Sequence, residues 1–256
     1  MRLGSVHLSR SFCLASIDAG NYAGSMSFLG SKAASGAYQV IIAEMPPHDT
    51  YIETHLGTGA VMRRKAPPGR SIGIDIDAGV LERFSCDYPV ELYQHDCVQF
   101  LKAFDFAAAG RVLLYCDPPY LEATRTSAKR YKYDYANADH KRLLAFLSEV
   151  PAMVMISGYP STSYDVWLRG WRTVQFQVMT RGGVRTEKIW MNYAATEKRH
   201  WSRYAGKNFT DRQRINRKAE RWATNYRDLP PGERLAILSA LLAVEGETSS
   251  ATHVNA

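Results

Sequence analysis

What is scarce in this sequence narrows its function first. Only four cysteines occur in 256 residues (Cys13, Cys86, Cys97 and Cys116). None forms a Cys-x-x-Cys pair and no histidine stands at ligand spacing, so neither a zinc site nor a disulfide framework is expected, and a reducing, cytoplasmic setting fits. No apolar run approaches the roughly eighteen residues of a membrane span. Near the start, Phe12-Cys13-Leu14-Ala15 is too short for a signal sequence and Asp18 interrupts it. Charge excess is also scarce over most of the chain. Residues 196–234 hold 11 Lys/Arg against 5 Asp/Glu, leaving 21 against 20 elsewhere, so nearly all of the net +7 sits in one segment. That is the footprint of a phosphate-contacting surface, or of a solvated charged helix. With 46% hydrophobic residues the chain has ample material for a core, and a globular enzyme is the default class.

The most informative stretch is Cys116-Asp117-Pro118-Pro119-Tyr120, which follows the apolar run Val112-Leu113-Leu114-Tyr115. Two prolines remove two backbone donors, set φ and stop the strand, so the turn is rigid. In open α/β sheets ligands lie beyond the carboxyl ends of strands, which places this carboxylate and ring where a substrate is held. Asp-Pro-Pro-Tyr resembles the signature of the amino-methylating DNA methyltransferases, of the phage and prophage type. The chemistry suits it: a carboxylate and a backbone carbonyl accept the two N–H groups of a base's exocyclic amine, and an aromatic face stacks on the extruded base. The resemblance implies catalytic roles for Asp117, Pro118, Pro119 and Tyr120. An isolated match of this length also fits a capped Pro-Pro turn, and the other motifs decide between the two.

Those motifs follow in chain order. Phe28-Leu29-Gly30-Ser31-Lys32 resembles the N-terminal cofactor motif of adenine methyltransferases, which implies that Phe28 and Lys32 lie near the methionine end of S-adenosylmethionine; a surface Lys opening a helix is the alternative. The pattern predicts a helix over 32–45, stopped by Pro46-Pro47, then a first strand over 50–56. That strand opens into Gly57-Thr58-Gly59, which lacks the third glycine of a dinucleotide fingerprint. Glu53-Thr54-His55-Leu56-Gly57-Thr58-Gly59 therefore resembles the methyltransferase cofactor turn, with Glu53, Gly57 and Gly59 as implied contacts. His55 departs from the family's pattern and is read as packing. A second strand over 71–77 ends in Asp75 and Asp77; Asp75 matches the family's ribose-binding acid, Asp77 is second, and a helix cap is its alternative role. A third strand over 91–95 ends at Asp96, matching the acid that contacts the cofactor adenine.

After the Asp-Pro-Pro-Tyr turn, residues 121–136 interleave Arg125, Lys129, Arg130 and Lys132 with Tyr131, Tyr133 and Tyr135. This suits a flap that touches phosphates and stacks on bases, or an exposed hairpin. A helix is expected over 139–149, a fifth strand over 152–157, and two strands over 171–180 and 187–193 joined through Arg181-Gly182-Gly183. Five strands alternating with helices and then a hairpin form the chain order of the methyltransferase variant of the doubly wound α/β fold, seven-stranded and Rossmann-like. Beyond it a basic helix over 211–226 carries a packing stripe, Ile215, Ala219, Trp222 and Tyr226, beside Arg214, Arg217, Lys218 and Arg221. An amphipathic helix over 231–244 is expected to close the domain. The domains expected are a disordered extension (1–25), a methyltransferase domain (26–195), a basic helical extension (196–244) and a disordered tail (245–256).

The resemblance implies transfer of a methyl group from S-adenosylmethionine to adenine N6 in double-stranded DNA after base flipping, by a monomer, with site-specific or relaxed specificity and no metal. No cysteine follows a proline, which argues against cytosine C5 transfer. Asp117, where cytosine N4 enzymes usually have Ser, favours adenine. Cytosine N4, RNA or a protein amide as acceptor, and a nucleic-acid-binding module without catalysis, stay open. Only 21 positions separate Asp96 from Asp117, too few for the target-recognition insert of many relatives.

Overall fold

The computed structural model describes residues 32, 36–125, 132–180, 183–195, 204–206 and 208–251. The chain divides into two compact units, residues 1–202 and 203–256. Phe28, Lys129, Arg130 and Tyr131, and the expected extension over 1–25, lie outside the described residues.

The first unit is built on a seven-stranded sheet in the order β3-β2-β1-β4-β5-β7-β6. Its strands are β1 (Thr50–Glu53), β2 (Arg70–Asp75), β3 (Glu91–Gln94), β4 (Val112–Cys116), β5 (Met153–Gly158), β6 (Arg172–Thr180) and β7 (Gly183–Met191). The first five run parallel, while β7 enters antiparallel between β5 and β6. This is the doubly wound, Rossmann-like sheet expected from the element order. β4 is central and buried at every position, because a parallel strand covered on both faces must be apolar throughout. The helices are α1 (Ala37–Ala43), α2 (Ala78–Arg83), α3 (Cys97–Lys102), α4 (Asn137–Glu149) and α5 (Thr162–Trp167). One core cluster joins β1, β2, β4 and β5 to α3, α4 and α5 through Ile52, Ile74, Leu101, Leu114, Leu144, Leu147 and Ile156.

Several boundaries differ from the sequence pattern for identifiable reasons. α1 starts at Ala37, not at Lys32: Gly36 before it has φ 97, outside helical space, and Lys32 is in a turn. β1 stops at Glu53, not Leu56, although the Thr54 and Leu56 N–H groups still donate to Tyr115 of β4 and Ile74 of β2, so the chain stays tied to both flanking strands as it enters the glycine turn. β2 ends at Asp75 because Asp77 caps α2, its side chain accepting the Gly79 N–H. β7 begins at Gly183, four residues before the expected start, so the hairpin strands pair from Thr180↔Gly183 to Arg172↔Met191.

The second unit holds α6 (Phe209–Arg227) and α7 (Pro231–Ala251). Asn208 caps α6 through the Asp211 N–H, and the Tyr226 hydroxyl donates to the Arg234 carbonyl across the connection. The basic helix is thus present and slightly longer than expected. Its stripe is covered only in part: Ile215 and Tyr226 are half-buried, whereas Ala219 and Trp222 are exposed. Along α7, Leu235, Leu238, Leu241, Leu242 and Val244 are exposed. The helix continues to Ala251, through the stretch expected to be a disordered tail.

Candidate active site

Strand order reverses between β1 and β4: β2 and β3 follow to one side, β5 to the other. A doubly wound sheet opens a crevice at such a point, at the carboxyl ends of its strands. Here a cleft of about 430 Å³ does so, lined by residues 54–58 after β1, Asp75–Asp77 after β2, His95–Cys97 after β3 and Asp117–Tyr120 after β4. That size suits a nucleotide-like ligand.

The structure brings together Lys32, Glu53, Gly57, Asp75, Asp96, Asp117, Pro118, Pro119, Tyr120 and Lys132, all on the wall of this cleft. Gly59 is not on that wall; it has φ 62, and a Cβ there would stand 2.3 Å from the Phe84 ring, so packing by itself requires glycine at this position. Gly57, with φ 49, meets nothing but its own turn. Asp75 accepts the Gly57 N–H through Oδ2 and the Asp77 N–H through Oδ1, both at 2.9 Å, and so ties the glycine turn to β2. Each oxygen keeps a lone pair for a hydroxyl donor. Asp96 caps α3 through the Gln99 N–H (2.9 Å) and pairs with Arg142 of α4 (3.0 Å). Burial works to raise its carboxyl, but the Gln99 N–H and Arg142 hold it below the usual value. Glu53 is buried beneath the turn, where its Oε2 accepts from the Tyr51 hydroxyl and the Met62 N–H, both at 3.0 Å. Burial pushes its carboxyl up to about 8.

Asp117 stands at the inner end. Its Oδ1 accepts from Lys32 Nζ at 2.7 Å and from Ser157 Oγ at 2.9 Å. Among the described residues Oδ2 has no hydrogen-bond donor, and the side chain is 17% exposed. A carboxylate with one oxygen anchored and the other open can accept an N–H from an incoming group. Lys32 is buried, with Nζ also 2.5 Å from the Tyr120 hydroxyl and 3.5 Å from Glu187 Oε2. Burial opposes its charge, yet the carboxylates of Asp117 and Glu187 outweigh burial and raise it well above the ordinary lysine value. Tyr120 is 6% exposed, its ring 4.2 Å from that of Tyr159 in the turn after β5. Tyr159 is the more accessible of this aromatic pair.

Of the described parts of the flap, residues 132–135 line the same cleft, and Arg125 ties the other arm to them. Lys132 Nζ reaches the Asp77 carboxylate (3.0 Å), the Tyr135 hydroxyl meets His55 Nε2 (3.0 Å), and Arg125 forks onto Asp134 and donates to the Tyr120 carbonyl (2.6 Å). Arg125 is only 9% exposed. It therefore braces the Asp-Pro-Pro-Tyr turn, a correction to its expected phosphate contact. Arg214, Arg217, Lys218 and Arg221 of α6 are exposed, with Arg214 also held to Asp211.

Sequence reasoning missed Ser157, Glu187, Tyr159, Ile76 and Arg142. Ser157 and Tyr159 flank the end of β5, so strand position alone could have flagged them. Ile76, which follows β2, is 46% exposed between two acids on the cleft wall, although the sequence pattern made it an inward residue of the strand. Glu187 had no local signal, because only the insertion of β7 beside β5 brings it near.

No protein-family model matches the sequence, and no curated protein does. Among solved structures the chain is similar to the 23S rRNA methyltransferase ErmE, with TM-score 0.41 and 12% identity over 73% of this chain and 75% of that one. It is similar to a precorrin 8w decarboxylase of Methanobacterium thermoautotrophicum, with TM-score 0.40 and 13% identity over 65% and 97%. It is likewise similar to a SAM-dependent methyltransferase of Agrobacterium tumefaciens, with TM-score 0.42 and 11% identity over 61% and 60%. These are similarities of chain course at low identity.

Proposed function

We propose that this protein is an S-adenosylmethionine-dependent methyltransferase whose acceptor is the N6 amino group of adenine in DNA. The observation that carries the reading is the continuity of the cleft. One wall holds the glycine turn, Asp75 and Asp96, and the inner end presents the open Oδ2 of Asp117 beside two prolines and an aromatic ring.

The residues fit the cofactor. Ile76, apolar and exposed in the cleft, offers a flat surface to an adenine ring, with Asp96 and Arg142 at its edge. Asp75 has lone pairs free for ribose hydroxyls, and Gly57 lets the backbone approach the ligand. When bound, the cofactor supplies an electrophilic methyl group on a sulfonium. Asp117 Oδ2 accepts one N–H of the acceptor amine, and the Pro118 carbonyl the other, which localises the nitrogen lone pair. Lys32 and Ser157 hold Asp117 in that orientation. Tyr120 and Tyr159 flank the amine site as aromatic walls for an extruded base. Exposed Arg217, Lys218 and Arg221 on α6, with Lys132 on the flap, suit the sugar-phosphate backbone of double-stranded DNA.

Incubation of the full chain with labelled S-adenosylmethionine and duplex DNA, single-stranded DNA or RNA, followed by digestion to nucleosides, tests the reading. N6-methyl-2′-deoxyadenosine in the duplex DNA arm is expected. Label only in cytosine N4 or only in RNA would reassign the acceptor, and no label in any arm would sink the proposal.

A further inference from the structure

Glu187 is a charged group in this region that the reading above leaves without a task. It stands on β7, 5% exposed. Its Oε1 accepts from the Tyr120 hydroxyl at 2.9 Å, while Oε2 is buried with no hydrogen-bond partner among the described residues, 3.5 Å from Lys32 Nζ. A buried carboxylate oxygen left unbonded is costly unless a charge compensates it. The compensating charge is Lys32, which hydrogen-bonds Asp117 and Tyr120. The charged and titratable groups facing Glu187 are Lys32, from the segment before α1, and Asp117 and Tyr120, from the turn after β4. Tyr115 of β4 faces Lys32 in turn. Across the hairpin, β6 places the uncharged Phe176 opposite it.

The count of charges matters to the chemistry. One lysine and two ionised carboxylates leave this cluster at −1; with Glu187 protonated it is neutral. As the amine nitrogen bonds to the methyl carbon, the carbon–sulfur bond breaks and its electron pair goes to sulfur. The nitrogen becomes positive, then passes one proton to Asp117 and from there to water. Net negative charge beside the nitrogen stabilises that transition state, and a water-poor site amplifies the effect.

We propose that Glu187 is a positioning residue of the methyl-transfer site: it offsets the charge of Lys32, so that Asp117 faces the amine as an uncompensated carboxylate, and it holds Tyr120 in place. The inference rests on the functional reading above. Burial raises the Glu187 carboxyl, Lys32 opposes that rise and Asp117 adds to it, with a net shift upward. Protonation at low pH therefore removes the charge, and kcat falls as pH falls through this raised value.

The test is kcat, KM and cofactor affinity for the full chain and for Glu187→Gln, Glu187→Asp, Lys32→Met and the Lys32→Met/Glu187→Gln pair, across a range of pH. Glu187→Gln should lower kcat by about tenfold or more and lose its share of the acid limb, with cofactor affinity unchanged. Glu187→Asp should recover part of the loss. In the Lys32→Met background, removing Glu187 should cost little, since without the lysine Glu187, buried beside Asp117, takes up a proton and has no charge left to lose. An active wild type whose folded Glu187→Gln variant keeps the same kcat and acid limb would overturn the inference alone, as would an equal loss in both backgrounds. If Glu187→Gln does not fold, a wild-type kcat flat down to the ordinary carboxylate range overturns it. A wild type that methylates no acceptor overturns the functional reading, and this inference with it.

Discussion

At the scale of single residues, Asp117 and Asp75 should separate cleanly in kinetics. On the proposed reading Asp117 serves the acceptor, with one oxygen held by Lys32 and Ser157 and the other without a donor among the described residues. Asp117→Ala should leave cofactor binding nearly intact and cut the rate by about two to three decades. Equal loss of cofactor affinity in a folded variant would refute that assignment. Asp75 ties the glycine turn in place and faces the expected ribose. Asp75→Ala should weaken cofactor binding by about 1.5 to 3 kcal/mol, roughly one to two decades in Kd, with saturating cofactor restoring much of the rate. An unchanged titration would shift the ribose role to Asp77. Two imidazoles add a pH prediction. Burial lowers both His55 and His140 from 6.5 to about 4. In the folded state they stay neutral where the unfolded chain binds protons, so their contribution to stability is complete above about pH 6.5 and is lost as pH falls toward 4. His55 accounts for at most about 3 kcal/mol of this. Denaturant midpoints should drop across that window, and imidazole resonances that titrate near 6.5 would contradict it.

At the scale of elements, the acids that end strands serve two purposes, and the cap role was only half legible. Asp77 was open to either reading, and its cap geometry is plain in the structure. Asp96 was read only as a ligand contact, yet it also caps α3 and pairs with Arg142 of α4. Asp96→Asn separates the roles, because asparagine caps as well as aspartate but carries no charge. We expect an unchanged melting temperature with weaker cofactor binding; a lower melting temperature with unchanged affinity would show that the charge serves α4 and not the ligand. The flap illustrates the limit of composition. Alternating Tyr and Lys/Arg residues announced a surface for nucleic acid, but Arg125 is consumed by Asp134 and the Tyr120 carbonyl. A basic residue's sign is visible in a sequence, whereas its partner nine positions away is set by how the chain doubles back.

At the scale of the whole molecule, charge and reading length belong together. The positive excess lies in residues 196–234, and the exposed basic residues of α6 suit phosphates better than base edges. If about six phosphates are neutralised, log affinity for duplex DNA should fall with log salt at a slope of about −5. A slope near zero would remove α6 from the interface. With no insert between Asp96 and Asp117, methylation mapped at single-base resolution should follow a short or relaxed motif. Confinement to one long motif at both limiting and excess enzyme would reveal a recognition element elsewhere.

The sequence by itself determined what is local. The buried run before Asp117, the proline-locked turn, the glycine turn after β1, and the acids after β2 and β3 all follow from period, turn chemistry and short spacing, and each stands where it was expected. Tertiary structure decided the partners of Asp117. Lys32, Ser157 and Glu187 come from 85 positions before it and 40 and 70 positions after it. Ser157 and Glu187 come near because β4, β5 and β7 are successive strands of the sheet, about 4.8 Å from one to the next however far apart they are in the chain, and Lys32 reaches the same point from a turn before α1. The antiparallel insertion of β7 beside β5 carries Glu187 to the cleft's inner end. The same physics hid the packing demand at Gly59: a Cβ there would meet the Phe84 ring, which no spacing rule connects to it.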